Sequence, residues 1–478
     1  MTTVGETTFT SREIDRFADL TLDRNPIHMD SRTAQRSFAG ARVVHGMHVL
    51  LTALSLLVAT RRESRRFRRV RCEFRHPIVV DEPVRFEYRQ RNDGGTRVSV
   101  LVDDLACAEL RLDDRPVPEP DHGAPEPIRI DAHLDSLREP LEHSPRALTR
   151  FAGTISNAPA AAVTTMFPDL CAAIGPSNVS ALSRLSYIVG MLCPGLYSVF
   201  SSLEVTLASQ NAAKGFSKFA VAAVDERFRL VKIELTGDLV GTLNAFQRPP
   251  AFQQPTFESL SHRVRPQEFA GARALVIGGS RGLGELTAKL LCAGGGAVHL
   301  TYARGRSDAL RVTAEIMGAK RGVCTPLELD ILAPLSSEAL GLLGHVDLVF
   351  YFPTPMIFRK KSNTFNAAVL HDFLRFYVDR FSVLYEAVQS VATQPVRIFY
   401  PSSIAVDSRP QGMTEYAMAK AAGEVLISDL NASSSKIQVV SLRLPRMGSD
   451  QTNTVAVGAE EADSIAIMLS TIRSMWPF

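Results

Sequence analysis

Asp23-Arg24-Asn25-Pro26-Ile27-His28, followed by Val44-His45-Gly46-Met47, is the stretch on which the N-terminal part of the chain turns. A carboxylate and an imidazole stand on either side of an Asn-Pro turn. Pro26 fixes its own φ and pushes Asn25 out of the helical region, so the loop is rigid. A rigid loop can aim two proton-handling groups at one point, as acid/base work on a single water requires. His45-Gly46 opens an apolar run, Met47 to Ala59, that predicts a buried helix. Amides at a helix start can accept charge developing on a carbonyl oxygen.

The flanking sequence predicts what surrounds this loop. Ser11 to Leu20 reads as a capped amphipathic helix with Ile14, Phe17, Ala18 and Leu20 inward. Strand-like runs follow at Val70 to Phe74, Val84 to Tyr88, Val98 to Val102 and Ala106 to Leu112. Asn92-Asp93-Gly94-Gly95 predicts a hairpin turn between two of them.

The order Asp-x-Asn-Pro-x-His, then Ala34, Phe38 and Val-His-Gly-Met at a helix start, resembles the MaoC-like R-specific enoyl-CoA hydratases and dehydratases. The bland alternative is an Asx-Pro turn with a solvated Asp and His. The resemblance implies a hotdog fold over residues 1–113, one helix wrapped by an antiparallel sheet. It implies that Asp23 and His28 hold one water, and that the Gly46 amide binds an enolate-like oxygen. Ser55 and Thr52 are both candidates for a supporting hydroxyl.

Residues 114–145, rich in Pro and acidic side chains, read as a linker or surface crossing. Residues 146–248 read as a distorted copy of the first unit. A helical run (Val179 to Met191) leads to Pro194-Gly195, and an apolar run from Leu196 to Leu207 is expected as its buried helix. Strands are expected at Phe219 to Val224, Phe228 to Leu235 and Leu243 to Phe246. Cys193-Pro194-Gly195 stands where the first unit has Val44-His45-Gly46, and no Asp-x-Asn-Pro-x-His precedes it. The expectation is a second, non-catalytic hotdog that shapes an acyl pocket.

Between the buried helix and the first strands lie Arg61, Arg62, Arg65, Arg66, Arg68, Arg69, Arg71 and Arg75. Two readings stand: a solvated helix end, or a rim for the phosphates of coenzyme A or for an acidic carrier protein. Only Phe67 and Phe74 interleave the arginines, which argues against a nucleic-acid groove.

Residues 249–270 read as a second linker. From residue 271 to 478 strand and helix alternate. Arg273 to Ile277 runs into Gly278-Gly279-Ser280-Arg281-Gly282-Leu283-Gly284, then a helix from Glu285. Such glycines let the backbone approach a pyrophosphate at the helix N-terminus. Further strands are expected at Ala297 to Tyr302, Val323 to Leu329 (ending in Asp330-Ile331), Val346 to Tyr351 and Val396 to Tyr400. Ser403 follows the last of these. Tyr416 and Lys420, at i and i+4, share one helical face.

The glycine turn with Ser403 and Tyr416-x-x-x-Lys420 resembles the short-chain dehydrogenases/reductases. The resemblance implies a Rossmann-fold doubly wound parallel sheet and a dinucleotide cofactor. It implies Tyr416 as proton donor to a carbonyl, Lys420 lowering its pKa and touching the cofactor ribose, and Ser403 polarising the carbonyl. Gly278, Ser280, Arg281, Gly282, Leu283, Gly284, Arg304, Asp330 and Ile331 would line the cofactor. Arg281 and Arg304 in the absence of an acid before Asp308 favour NADP over NAD. Three departures are visible. Tyr351-Phe352-Pro353-Thr354 replaces Asn-Asn-Ala-Gly, Val378-Asp379 stands where a catalytic Asn is usual, and no seventh strand follows Leu444-Pro445-Arg446.

At 478 residues the chain exceeds one core. A net charge of +3 makes no case for nucleic acid. Six scattered cysteines form neither a disulfide framework nor a metal motif, no metal ligand set stands out, and the reducing cytoplasm fits. The apolar run at 47–59 is too short to span a bilayer, so no membrane role is expected. With these features, the two resemblances imply a cytoplasmic enzyme, a homo-oligomer (dimer), acting on an acyl-CoA or acyl-carrier-protein thioester. It would reduce a 3-ketoacyl thioester with NADPH and dehydrate the R-3-hydroxyacyl product. One activity with a degenerate partner domain, or a non-catalytic acyl- or nucleotide-binding scaffold, are the alternatives.

Overall fold

Thr10 starts the first helix, Ser11–Thr21, with a capping box. Its side chain accepts from the Glu13 N–H, and the Glu13 carboxylate accepts the Thr10 N–H at 2.8 Å. Ile14, Phe17 and Ala18 are fully buried, and Leu22 leaves the helix with φ 61°. The second long helix, Gly46–Thr60, is apolar on nearly every side, with Met47, Leu50, Leu51, Ala53 and Leu54 at 0% exposure. It can be stable only if enclosed.

The computed structural model describes residues 2–37, 39–60, 67–92, 94–113, 130–209, 214–359, 365–452 and 462–476. They divide into two compact units, one up to Pro250 and one from Ala251 onward. Arg61, Arg62, Arg65, Arg66, Phe38 and Asp93 lie outside the described residues.

The first unit holds one ten-stranded antiparallel sheet. Its strands are β1 (Thr2–Thr8), β2 (Arg69–Phe74), β3 (Pro83–Gln90), β4 (Thr96–Val102), β5 (Leu105–Asp113), β6 (Ala152–Ser156), β7 (Ser198–Leu207), β8 (Phe216–Asp225), β9 (Leu230–Gly237) and β10 (Leu239–Gln247). The order is β1-β3-β4-β5-β2-β7-β10-β9-β8-β6. Numbered from its own start, each half therefore runs 1-3-4-5-2, and the halves join through β2 and β7. The long helix of each half lies in sequence between its first and second strands: Gly46–Thr60 in one, Pro176–Tyr187 in the other. A single hydrophobic core spans both halves.

Three expectations are corrected here. The run Leu196 to Leu207 is strand β7, not a buried helix. Its buried Leu203, Val205 and Leu207 alternate with the less buried Ser202, Glu204 and Thr206, a period of two. The central helix of the second half is Pro176–Tyr187, continued by a π-helical turn at Ile188–Leu192. Residues 130–145 are packed, not a free linker. Leu134 is buried, Tyr187 Oη donates to its carbonyl at 2.7 Å, and the Leu141 N–H donates to Met191. The polar edge strands β1 and β6 carry too little apolar alternation to be seen beforehand.

The second unit contains β11 (Arg273–Ile277), β12 (Ala297–Tyr302), β13 (Val323–Glu328), β14 (Leu348–Tyr351), β15 (Val396–Ser403) and β16 (Ile437–Leu444). All pairings are parallel, in the order β13-β12-β11-β14-β15-β16. Both faces are covered, so the inner strands read as continuous apolar runs: β14 (Leu-Val-Phe-Tyr) is buried throughout. The strand order reverses direction between β11 and β14, and there the carboxyl ends leave a crevice. Residues 257–270, expected as linker, belong to this core through Phe257, Leu260 and Phe269. Among the described residues no seventh strand follows β16; the helix Ser464–Met475 buries Met468, Ile472 and Met475 in the same core.

Candidate active sites

In the first unit, Asn25 organises the loop. Its Oδ1 accepts the Ile27 N–H, capping the short turn of helix Pro26–Met29. Its Nδ2 donates to the carbonyls of Gly190 (2.7 Å) and Gly195 (3.0 Å) in the second half. Asp23 is 1% exposed. Its Oδ2 accepts the Ser186 hydroxyl at 2.7 Å and its Oδ1 the Asn25 N–H at 3.2 Å. Burial pushes the Asp23 carboxyl above its ordinary range, opposed by His28 and by these hydrogen bonds. His28 Nδ1–H donates to the Val43 carbonyl at 2.7 Å. A carbonyl can only accept, so Nε2 keeps its lone pair and can act as base. Burial holds His28 below its ordinary pKa, with Asp23 pulling the other way.

His45 stacks on His28 with ring centroids 3.8 Å apart. Its Nε2–H donates to the Asp23 carbonyl at 3.1 Å, and its Nδ1 is buried without a hydrogen-bond partner. Burial keeps it neutral, well below the usual histidine range. Asp23, His28 and His45 offer ligand atoms within 4.8 Å of one another, and are the described group that could hold a metal ion.

A cavity of about 150 Å³ meets Asp23, His28 and Gly46. Phe74, Ile78 and Ala108 line it from the first half; Ser186, Gly190 and Phe200 line it from the second. Gly46 opens its helix there, where N–H groups lack intrahelical partners. A side chain at Gly46 would press the Phe74 ring at 3.2 Å. Thr52 and Ser55 do not line the cavity; the hydroxyl on Asp23 comes from Ser186. At Gly190, on the π-helical turn, a Cβ would lie 2.3 Å from Asp23 Oδ1. Nothing near Ser186 or Gly190 in sequence signals this, because both act on a loop more than 160 residues away.

In the second unit, Gly278 (φ 76°) and Gly282 (φ 57°) adopt backbone that side chains resist. A Cβ on Gly284 would lie 2.3 Å from the Gly278 carbonyl. The turn leads into the helix Gly282–Ala293, whose N-terminus faces the crevice beyond β11. Ser280 and Leu283 belong to this turn, Leu283 packing against the core. Arg281 does not stand open: its NH1 is 3.3 Å from Asp450 Oδ2 and its Nε 3.8 Å from Asp308 Oδ2. Arg304 is exposed after β12. Past β13, exposed Asp330 accepts the Leu332 N–H, and Ile331 is buried.

Ser403 ends β15, and its hydroxyl accepts the Ala405 N–H at 3.2 Å beside Tyr416 on the helix Thr414–Ser433. Burial raises the Tyr416 pKa, and the nearby Ser403 hydroxyl opposes it. Lys420 is buried, donates to the Pro401 carbonyl at 2.6 Å, and lies 3.7 Å from the Tyr377 ring centroid. Burial lowers it to about 7. At Val378-Asp379, where the short-chain resemblance implies a catalytic Asn, a π-helical turn (Arg375–Asp379) presents Tyr377 instead. Tyr377 Oη is 2.5 Å from Thr354 Oγ1. Both departures from the expected motifs thus meet beneath Lys420.

Residues 1–105 match the family model of the MaoC like domain. The chain therefore carries a MaoC like domain at its N-terminus. No curated protein matches it. Among solved structures it is similar to a short chain dehydrogenase from Burkholderia cenocepacia J2315 in complex with NADP, at 25% identity. That alignment covers 44% of this chain and 92% of the other, with a TM-score of 0.37. It is similar to the angucycline C-6 ketoreductase LanV with bound NADP at 19% identity, over 44% of this chain and 90% of the other, TM-score 0.38. A putative short chain dehydrogenase from Pseudomonas syringae aligns at 16% identity over 45% of this chain and 92% of the other, TM-score 0.40. No helix among the described residues is long and apolar enough to cross a membrane.

Proposed function

We propose that the protein is a bifunctional enzyme of acyl-thioester metabolism. Residues 1–113 and 146–248 form a double hotdog with one acid/base site, and residues 271–478 a Rossmann-type reductase. The observation that carries the first activity is the meeting of Asp23, His28 and the Gly46 helix start at one cavity. In this reading Asp23 and His28 hold a water against the β-carbon of an enoyl thioester. One of them takes the water proton as it attacks; the α-carbon is protonated from the same side. The Gly46 N–H binds the charge that develops on the thioester oxygen. In the reverse direction the same groups dehydrate an R-3-hydroxyacyl thioester.

In the second unit the glycine turn fits a dinucleotide diphosphate: Gly278 and Gly282 hold the positive φ the tight turn needs, and Gly284 lets the helix start pack on the Gly278 carbonyl. NADP is the proposed cofactor, with Arg281 and Arg304 beside its ribose phosphate. Bound there, it supplies hydride to a ketone. Tyr416 donates the proton to the ketone oxygen, Ser403 polarises that oxygen, and the Lys420 ammonium favours proton release by Tyr416. Six buried, unpaired cysteines support a cytoplasmic setting.

Turnover of crotonyl-CoA and of acetoacetyl-CoA with NADPH by one purified chain tests both activities. Hydration without ketone reduction would leave a hydro-lyase with a degenerate partner. Neither activity would return the protein to a binding scaffold.

A further inference from the structure

Four arginines stand in one row across the outer face of the first unit's sheet. The register pairs Arg89 with Arg97, Arg97 with Arg111, and Arg111 with Arg71, on strands β3, β4, β5 and β2. Like charges directly opposite one another destabilise a sheet, and the row is relieved at one end by Glu204, which the register sets opposite Arg71 on β7. The inward positions of the same strands are taken by Val70, Cys72, Val98, Leu110 and Leu112. The guanidiniums therefore face away from the core, and the Arg71, Arg97 and Arg111 side chains keep 41–45% of their surface exposed.

The carboxylates beside the row offset it only in part. Buried Glu109 is shared by Arg75, Arg97 and Arg111, Glu204 is shared by Arg69 and Arg71, Glu73 also meets Arg75, and Asp113 acts on Arg71, so five arginines face four carboxylates before Arg89 is counted. Burial and Arg69, with Arg111 and Arg91, hold Arg71 below its ordinary pKa against the opposing pull of Asp113. The row is continuous with the active-site cavity, because Arg75 lines that cavity and also binds Glu109 at 3.0 Å.

We infer that this row docks the acidic face of a protein that carries the thioester, an inference that rests on the hydratase reading above. The choice of a protein follows from shape. Four adjacent strands span about 14 Å, and none of the four arginines lines the cavity, whereas small charged ligands are held in clefts. Evenly spaced guanidiniums suit a matching line of carboxylates on a helix. Arg75 would then mark the side on which the acyl arm passes into the cavity.

The test uses crotonyl thioesters on three carriers: an acidic acyl carrier protein, coenzyme A, and uncharged N-acetylcysteamine. Two variants are compared with wild type, Arg89→Glu alone, which spares Glu109, and Arg89→Glu with Arg111→Gln. The expected result is a KM for the carrier-protein substrate raised about tenfold in the double variant and less in the single one, attenuated at high salt. KM for the other two thioesters, and kcat for all three, should stay within about twofold. Equal changes for coenzyme A would make the row a phosphate site and overturn the inference. So would no change at low salt, or a shift in oligomeric state by sedimentation, which would assign the row to contact between copies. If wild type hydrates none of the three, the hydratase reading fails. Calorimetric binding of the unloaded carrier protein then decides the row separately: binding that the variants lose supports it, and no binding to wild type overturns it.

Discussion

Ser186 Oγ donates to Asp23 Oδ2 at 2.7 Å, so the half of the sheet without an Asp-x-Asn-Pro-x-His loop holds the carboxylate of the half that has one. The second half thus contributes directly to the candidate site. Hydrogen bonds to a charged group contribute about 1.5–3 kcal/mol. Ser186→Ala should therefore lower kcat for hydration roughly 10- to 100-fold and cost about 1–3 kcal/mol of stability, because Asp23 Oδ2 loses its partner in a buried site. Wild-type kcat in that variant would show the contact to be incidental.

Asp23→Asn should abolish hydration, a loss of roughly 100-fold or more, and leave ketone reduction intact. The same variant carries a stability signature. Asp23 keeps its proton to higher pH folded than unfolded, where the ordinary value is 3.8. The native state then binds more protons between 3.8 and the raised value, so wild-type stability falls as pH rises through that window. Asp23→Asn should melt higher than wild type at pH 7, and the difference should vanish below about pH 3.8. Melting curves against pH decide it; an advantage that persists at pH 3 contradicts the burial argument.

Gly190→Ala puts a methyl group 2.3 Å from Asp23 Oδ1. The carboxylate is pinned by Ser186 and Asn25 and cannot yield cheaply. We expect a loss of about 1–3 kcal/mol in stability and a fall in kcat larger than any rise in KM. Retention of full hydration activity would mean that the loop adapts.

Lys420 loses its proton near pH 7 when folded, against 10.5 ordinarily. Between these values the unfolded chain binds more protons, so stability rises with pH across the window, and the cost of burying the ammonium is full below pH 7. Without cofactor, Lys420→Met should melt above wild type at pH 6 and match it near pH 10.5. The variant should also lose ketone reduction. Equal melting at both pH values would place Lys420 in a wetter site.

Asp308 lies 3.8 Å from Arg281 and opposes a ribose phosphate placed beside that guanidinium. Asp308→Asn should raise the preference for NADPH over NADH, measured as a ratio of kcat/KM, and Arg304→Ala should lower it, each by about tenfold. A wild-type preference for NADH would remove the NADP assignment.

The amino-acid sequence by itself determined the features that depend on near neighbours. Pro26 and Asn25 shape the Asp23–His28 loop, His45-Gly46 starts a helix, glycines turn the chain between β11 and its helix, and Tyr416 and Lys420 share a face. Each is set within a few residues by dihedral limits or helical period. Tertiary structure decided what depends on distant partners. Leu196 to Leu207 became a strand, because a short apolar run satisfies either period until β2 and β10 offer it hydrogen bonds on both sides. Ser186 and Gly190 reached Asp23 only when the two halves closed one core, and Tyr377 reached Lys420 only when two helices packed on the parallel sheet. Arg281, open in the sequence, is occupied by Asp308 and Asp450. Burial supplies the pKa shifts, and burial is a property of the packed chain that no local spacing encodes.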